Sequence, residues 1–199
     1  MNGPVHVIDD DEAVRESLAF LLEAAGFQVT TSESATLFLE RLTGTETGCI
    51  VTDVRMPGLS GLDLARILKA RGSRLPLIVI TGHGDVPLAV EAMKAGAQDF
   101  IEKPFADDAL IEAIRLALAS RGQDAGSESP RARIDALSTR EHQVLKGLVA
   151  GKANKVIARD LGISPRTVEI YRAHVMTKMR AASLSELVRL AILAGEDGA

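Results

Sequence analysis

The chain has 199 residues, 46% hydrophobic and 25% charged, with a formal net charge of −4, which suits one domain or two small ones with real apolar cores. No apolar run approaches the roughly 20 residues a membrane span needs, and residues 1–12 carry acid rather than a secretory-signal pattern. The single cysteine, Cys49 in GCIVTD, excludes an intramolecular disulfide and a thiolate metal cage and reads as a small core residue in a reducing cytoplasm.

Residues 4–120 alternate short apolar runs with amphipathic stretches. The strand candidates are VHVI (5–8), FQVTT (27–31), CIVT (49–52), LIVI (77–80) and DFIE (99–102). Between them helical periodicity covers 14–25, 35–42, 62–71 and 87–95, and a last helix runs over about 107–120. Apolar, β-branched strands alternating with helices predict a parallel sheet covered on both faces. Five strands and five helices in this length fit the α/β doubly wound order 2-1-3-4-5. In that architecture ligands bind beyond the carboxyl ends of the strands where the strand order reverses, here at the ends of strands 1 and 3.

Those ends carry the chemistry. VIDDD closes strand 1 with Asp9, Asp10 and Asp11, strand 3 ends in Asp53, strand 4 in Thr81, and Lys103-Pro104 follows strand 5. Adjacent like charges raise one another's pKa and cost stability unless a cation or hydrogen bonds offset them. A hard cation such as Mg²⁺ takes one or two carboxylates, a carbonyl and waters, leaving room for a phosphate. A carboxylate beside it can attack a phosphoryl group, with the lysine and hydroxyl neutralising and hydrogen-bonding its oxygens. A calcium loop wants alternating acids and a glycine turn, which DDDEAV lacks. An aspartyl-nucleophile phosphatase wants an acid two residues after its nucleophile, where this chain has Arg55.

The segments VIDDD, VTDVRMPGLSGLDL, VITGHGD and DFIEKPF, spread over 4–120, resemble the receiver domain of two-component response regulators. The resemblance implies that Asp53 is the phosphoacceptor and that Asp9, Asp10, Asp53 and the backbone carbonyl of Arg55 hold Mg²⁺. It also implies that Thr81 and Lys103 contact the acyl phosphate, that Phe100 is the aromatic switch, and that Lys103-Pro104 is a cis bond. Asp11 is left to cap the first helix.

RGQDAGSESPRARIDA, 121–136, has Gly, Ser and Pro, mixed charge and no apolar period, and reads as a linker. Charge changes across it. Residues 1–120 hold 10 Lys/Arg against 18 Asp/Glu, a net of −8; residues 137–199 hold 10 against 6, a net of +4. The expected division is therefore 1–120, linker 121–136, and a nucleic-acid-binding unit 137–199. The last is helical throughout, near 139–150, 154–161, 165–180 and 184–194. Ser138 with Glu141 and Ser183 with Glu186 form capping boxes, and Ser164-Pro165 starts the third helix.

The stretch 154–179 has helix-turn-helix spacing with Gly162 in the turn. On its second helix Val168, Val175 and Met179 share one face with Tyr171 beside them. Arg166, Ile170, Ala173 and Thr177 lie opposite, flanked by Glu169. That face suits a major groove: Arg for guanine or phosphate, Glu for cytosine, Ile and Ala for a thymine methyl. Lys155 and Lys178 suit phosphates. With LSTREHQVL before it and SLSELVRLA after it, this unit resembles the LuxR-type four-helix DNA-binding domain. The resemblance puts base reading on Glu169, Ile170 and Ala173, and phosphate contact on Thr167 and Lys155. Arg172 either snorkels or reaches the DNA backbone. His174 reads as a boundary residue, His83 and His142 as surface or loop residues, and no His/Cys pair has zinc spacing.

The two halves together resemble LuxR-tailed response regulators and, through VITGHGDVPLAVEAMKAGAQDFIEKPF and SPRTVEIYRAHVMTKM, the FixJ-type subfamily. The resemblance implies a cytoplasmic transcriptional activator of nitrogen-fixation and low-oxygen genes. Its partners would be a FixL-like sensor histidine kinase, double-stranded DNA, RNA polymerase and, when phosphorylated, a second copy; Val90 and Lys94 on the fourth helix are the residues expected to help form that dimer. Such a protein is a phosphoacceptor with at most slow autodephosphorylation, not an enzyme. Two alternatives stand beside it: a subfamily member serving another pathway and signal, and a metal-dependent phosphohydrolase fused to a DNA anchor.

Overall fold

The computed structural model describes residues 3–82, 86–119 and 129–196, which divide into two compact units. His83 and linker residues 121–128 lie outside the described residues.

The first unit alternates β1 (Pro4–Ile8), α1 (Glu12–Ala24), β2 (Gln28–Ser32), α2 (Ala35–Arg41), β3 (Cys49–Asp53), α3 (Gly61–Ala70), β4 (Leu77–Thr81), β5 (Asp99–Glu102) and α5 (Asp107–Ala119); α4 (Val86–Ala95) follows β4 in the chain but groups, up to Lys94, with the second unit. The strands form one parallel sheet in the order β2-β1-β3-β4-β5, the doubly wound order expected. Its central strands are almost wholly buried, and Val5, Val7, Val51 and Ile80 pack against Leu18 and Leu22 of α1 and Leu110 and Ile114 of α5. Cys49 is free and fully buried on β3. α1 begins two residues before the expected start because the Asp11 carboxylate caps it, accepting from the amides of Ala13 (2.9 Å) and Val14 (3.3 Å).

Register fixes what meets at the carboxyl edge. Ile8 pairs with Thr52, so Asp9 and Asp53, the next residues, leave neighbouring strands side by side. Asp53 pairs with Ile80 and Thr81 with Glu102, which brings Thr81 and Lys103 to the same edge. α3 seats closely against this edge: the Gly61 amide donates to the Val54 carbonyl at 3.0 Å. A Cβ on Gly61 would stand 2.3 Å from the Asp53 carbonyl oxygen, so no larger residue fits without movement.

The second unit holds α6 (Pro130–Asp135), α7 (Thr139–Val149), α8 (Asn154–Leu161), α9 (Pro165–Met179) and α10 (Leu184–Leu193). Four helices are expected there, and all four are present. α6 is additional and lies in the stretch read as linker. It starts with a Ser129 cap and Pro130 in its first turn, and its one apolar anchor, Ile134, is buried with Val144, Val175, Met179 and Leu187. Six residues with a single apolar position carry no readable period, which is why pattern alone passed over it. α9 ends one residue early, because Arg180 adopts the left-handed conformation (φ 54°) as its C-cap. Among the described residues no helix is long and apolar enough to cross a membrane.

Candidate functional site

The carboxyl edge of the sheet gathers two acids around one ammonium group. Asp9 is 4% exposed; its Oδ1 accepts from the Asp11 amide at 2.9 Å and its carbonyl from Arg15 Nη1 at 2.8 Å. Asp53 Oδ2 accepts from the Arg55 amide at 2.7 Å. Lys103 Nζ stands 3.0 Å from Asp53 Oδ1 and 3.5 Å from Asp9 Oδ2. The lysine is positioned by its backbone, whose amide donates to the Thr81 carbonyl at 2.7 Å. Burial pushes the Asp9 carboxyl above its ordinary range, and the charges of Asp53 and Asp10 push the same way. The Asp11 amide and Lys103 pull it down without cancelling the rise.

Of the residues read as one site, Asp9, Asp53 and Lys103 meet directly, and Thr81, 2% exposed, ends the adjoining strand. Asp10 is exposed beside them. Phe100 is half-buried on β5, its amide donating to Asp99 Oδ1 at 2.8 Å, and the Lys103-Pro104 bond is cis. Val90 and Lys94 lie one turn apart on α4, the first buried and the second exposed. Sequence reasoning missed Arg15, which has no signal of its own. It also missed Gly61, whose signal was a glycine opening the helix just after the strand that carries Asp53.

Among the described residues no group of three His, Cys, Asp or Glu side chains stands arranged for a metal ion. Mg²⁺ does not require one, since one or two carboxylates with a carbonyl, waters and a phosphate oxygen suffice. The hard-oxygen donors of Asp9 and Asp53, brought side by side at the strand ends, fit such an ion.

In the second unit the two faces of α9 separate as the period predicts. Val168, Val175 and Met179 are fully buried and Tyr171 half-buried, while Arg166, Glu169, Ala173 and Thr177 are exposed. Ile170 is 52% exposed, a large apolar side chain presented to solvent beside charged neighbours. Gly162 ends α8 in the left-handed conformation (φ 65°). Ser164 then caps α9, accepting from the Thr167 amide at 3.1 Å, and its hydroxyl also meets that of Thr167 at 2.8 Å. Lys155 is exposed on α8, and Arg172 is half-buried, as its position near the core stripe requires.

Lys178 has a different employment from the phosphate contact expected of it. Its Nζ donates to Glu141 Oε2 at 2.7 Å, and Glu141 is 5% exposed at the start of α7. His174 Nδ1 approaches the other oxygen of Glu141 at 3.7 Å, which makes it a packing partner at the unit's boundary. The Lys178 bond, the Ser138 amide and the Ser138 hydroxyl hold the Glu141 carboxyl at about 2, well below its ordinary 4.5. His142 Nε2 lies 3.1 Å from Glu196 Oε1.

The family described as the response regulator receiver domain matches residues 5–115. The chain belongs to the response regulator family. Residues 135–191 match the luxR family of bacterial regulatory proteins, so the second unit of this response regulator is a LuxR-type DNA-binding domain. The chain is similar to the transcriptional regulatory protein FixJ of Azorhizobium caulinodans, 64% identical over 197 residues covering 96% of this chain and 93% of that protein. It is 58% identical to FixJ of Bradyrhizobium diazoefficiens over 97% of this chain and 96% of that one. Among solved structures, full-length FixJ from B. japonicum aligns with a TM-score of 0.58 at 57% identity, covering 97% of both chains. The response regulator described here thus shares both of its units with those proteins.

Proposed function

We propose that this response regulator is a transcriptional activator of nitrogen-fixation and low-oxygen genes, switched by phosphorylation of Asp53; its similarity to proteins named transcriptional regulatory protein FixJ supports the regulatory part of that reading. The observation that carries the reading is the joint hold of Lys103 on Asp53 and Asp9 at the strand ends. A FixL-like sensor histidine kinase presents a phosphohistidine. An Asp53 carboxylate oxygen attacks its phosphorus, the P–N bond breaks, and the phosphoryl group stays on Asp53 as an acyl phosphate. Lys103 neutralises the added oxygens and the Thr81 hydroxyl donates to them, while Phe100 on β5 reports the change to the outer surface. Asp9, Asp10, Asp53 and the Arg55 carbonyl would hold Mg²⁺, which supplies charge neutralisation for the dianionic group.

The domain limits that go with this function are 1–120 for the receiver, 121–136 for the connection and 137–199 for DNA binding, with α6 acting alongside the last. On DNA, Glu169, Ile170 and Ala173 read base edges and Lys155, Arg166 and Thr167 take phosphates. Phosphorylated receivers pair through α4 around Val90 and Lys94. One tail of modest positive charge then gains a second, joined at high effective concentration on half-sites about one helical turn apart. The complex engages RNA polymerase in the cytoplasm. The phosphoryl group is held rather than turned over, and Arg55 in place of an acid counts against a phosphohydrolase.

Sedimentation of the intact protein with Mg²⁺, with and without a small-molecule phosphodonor, tests the switch. The expected result is a doubling of mass in wild type, absent in Asp53→Asn and weakened in Lys94→Glu. Phosphate incorporation with unchanged mass would remove dimerisation from the account.

A further inference from the structure

We infer that α6 is a working part of the DNA-binding unit, a clasp on the end of α9, with Arg133 as its positioning residue. The inference rests on the reading of α9 as the helix that enters DNA. The luxR-family match begins at residue 135, so all of α6 but its last residue, Arg133 and Ile134 included, lies outside it.

Every helix leaves its last carbonyls without intrahelical partners. At the end of α9 the turn through Arg180 serves two of them: the Arg180 amide donates to Thr177 and the Ala181 amide to Met176. The Met179 carbonyl is served from α6, by Arg133 Nη1 at 3.0 Å. A guanidinium there also opposes the negative end of the helix dipole. The hold is returned, since Lys178 of α9 reaches the carbonyl of Ala136, the C-cap of α6, at 3.5 Å while it bonds Glu141 at 2.7 Å. Each helix thus supplies a cation to the other's C-terminal carbonyls.

Three further observations make this more than a surface contact. Ile134 is 4% exposed and packs into the core that Val175 and Met179 share. A six-residue helix is unstable by itself, so α6 exists only while docked on α9 and α10. Among the described residues the Arg133 Nε is buried without a hydrogen-bond partner. That donor is a cost, which the Nη1 bond to the Met179 carbonyl offsets. Arg131 adds an anchor through Asp135 (3.3 Å) and Glu196 (3.7 Å). The exposed face that carries Ile170, Ala173 and Thr177 therefore has its C-terminal end fixed by a residue outside the helix-turn-helix.

The test is amide hydrogen exchange of the full-length chain carrying Arg133→Met, which keeps the apolar stem and loses the donors, and Arg133→Lys, which keeps the charge. The expected result in Arg133→Met is roughly tenfold faster exchange at 176–181, from loss of a charge-assisted bond, with partial restoration in Arg133→Lys. Binding to a random-sequence DNA duplex pool, measured with phosphodonor and Mg²⁺ present, should weaken severalfold in Arg133→Met. Phosphate incorporation at Asp53 should not change. Unaltered exchange at 176–181 overturns the clasp whatever the DNA result. Faster exchange with unaltered duplex binding overturns the positioning role. Wild-type protein that binds no duplex, with the exchange effect present, overturns the DNA-binding reading and leaves the clasp as a stabilising contact.

Discussion

The two units build their functional surfaces in opposite ways. The receiver's crevice joins Asp9, Asp53 and Lys103 from three separate strand ends, the last two 50 residues apart in the chain. The tail's candidate reading face comes from one helix, with its residues a turn or less apart. In the crevice, parallel register dictates which side chains meet, so identity and partner are settled together. On a helix the period dictates only direction. Lys178 illustrates the difference: it lies on an exposed part of α9, as the period requires, yet its ammonium turns back to Glu141.

This contrast can be strained at several points, the most damaging first. Gly61→Val drives side-chain atoms into the Asp53 carbonyl and should cost about 3 kcal/mol of stability, measured by urea unfolding. A loss under about 0.5 kcal/mol would mean that α3 is not held as closely to the acidic edge as described. Lys103→Met leaves Asp9 and Asp53 facing each other without their shared cation. Partial exposure of the lysine limits the loss to about 1–2 kcal/mol in chelator, and Mg²⁺ should recover most of it. Absence of any Mg²⁺ effect on the variant would separate the acids from the ion.

Lys178→Met should cost about 1 kcal/mol, held down by the exposure of the lysine, and its effect should depend on pH. Glu141 is a stronger acid folded than unfolded, so its contribution is complete above about pH 4.5 and is lost as pH falls toward 2. Between those values wild type should lose its advantage over Lys178→Met, which circular dichroism melts at stepped pH would show. The same variant should leave the salt dependence of duplex binding unchanged, whereas Lys155→Ala should lower the slope by about one unit. A lowered slope in Lys178→Met would return that residue to the DNA. The smallest effect on folding belongs to Ile170→Ala, within about 0.5 kcal/mol because the side chain is half exposed. Its selected binding sites should nonetheless lose preference at one thymine by about 1 kcal/mol, the order of one buried methyl contact.

Most of the fold was legible because its signals are local and repeated. Five apolar runs with β-branched residues and intervening amphipathic stretches leave little choice but a parallel sheet, and the carboxyl-end rule then selects Asp9, Asp53, Thr81 and Lys103. The core stripe Val168, Val175 and Met179 was equally plain, since three apolar residues on one helical face among charged ones have one place to go. What escaped depends on contacts that leave no period in the sequence. α6 is too short to show a period and is recognisable only by the core into which Ile134 fits. Arg15 serves a carbonyl, and carbonyls leave no mark in sequence. Lys178 could have been suspected from Glu141, but a capping-box glutamate gives no sign that a second helix will bring it a lysine.

The central claim is that Asp53 accepts a phosphoryl group in a crevice where Lys103 and Asp9 already attend it. Intact-protein mass spectrometry after incubation with a small-molecule phosphodonor and Mg²⁺ tests it most directly. The account predicts a gain of one phosphoryl group in wild type, none in Asp53→Asn, and a markedly smaller gain in Asp9→Asn. Equal incorporation in wild type and Asp53→Asn, or none in wild type, would contradict it.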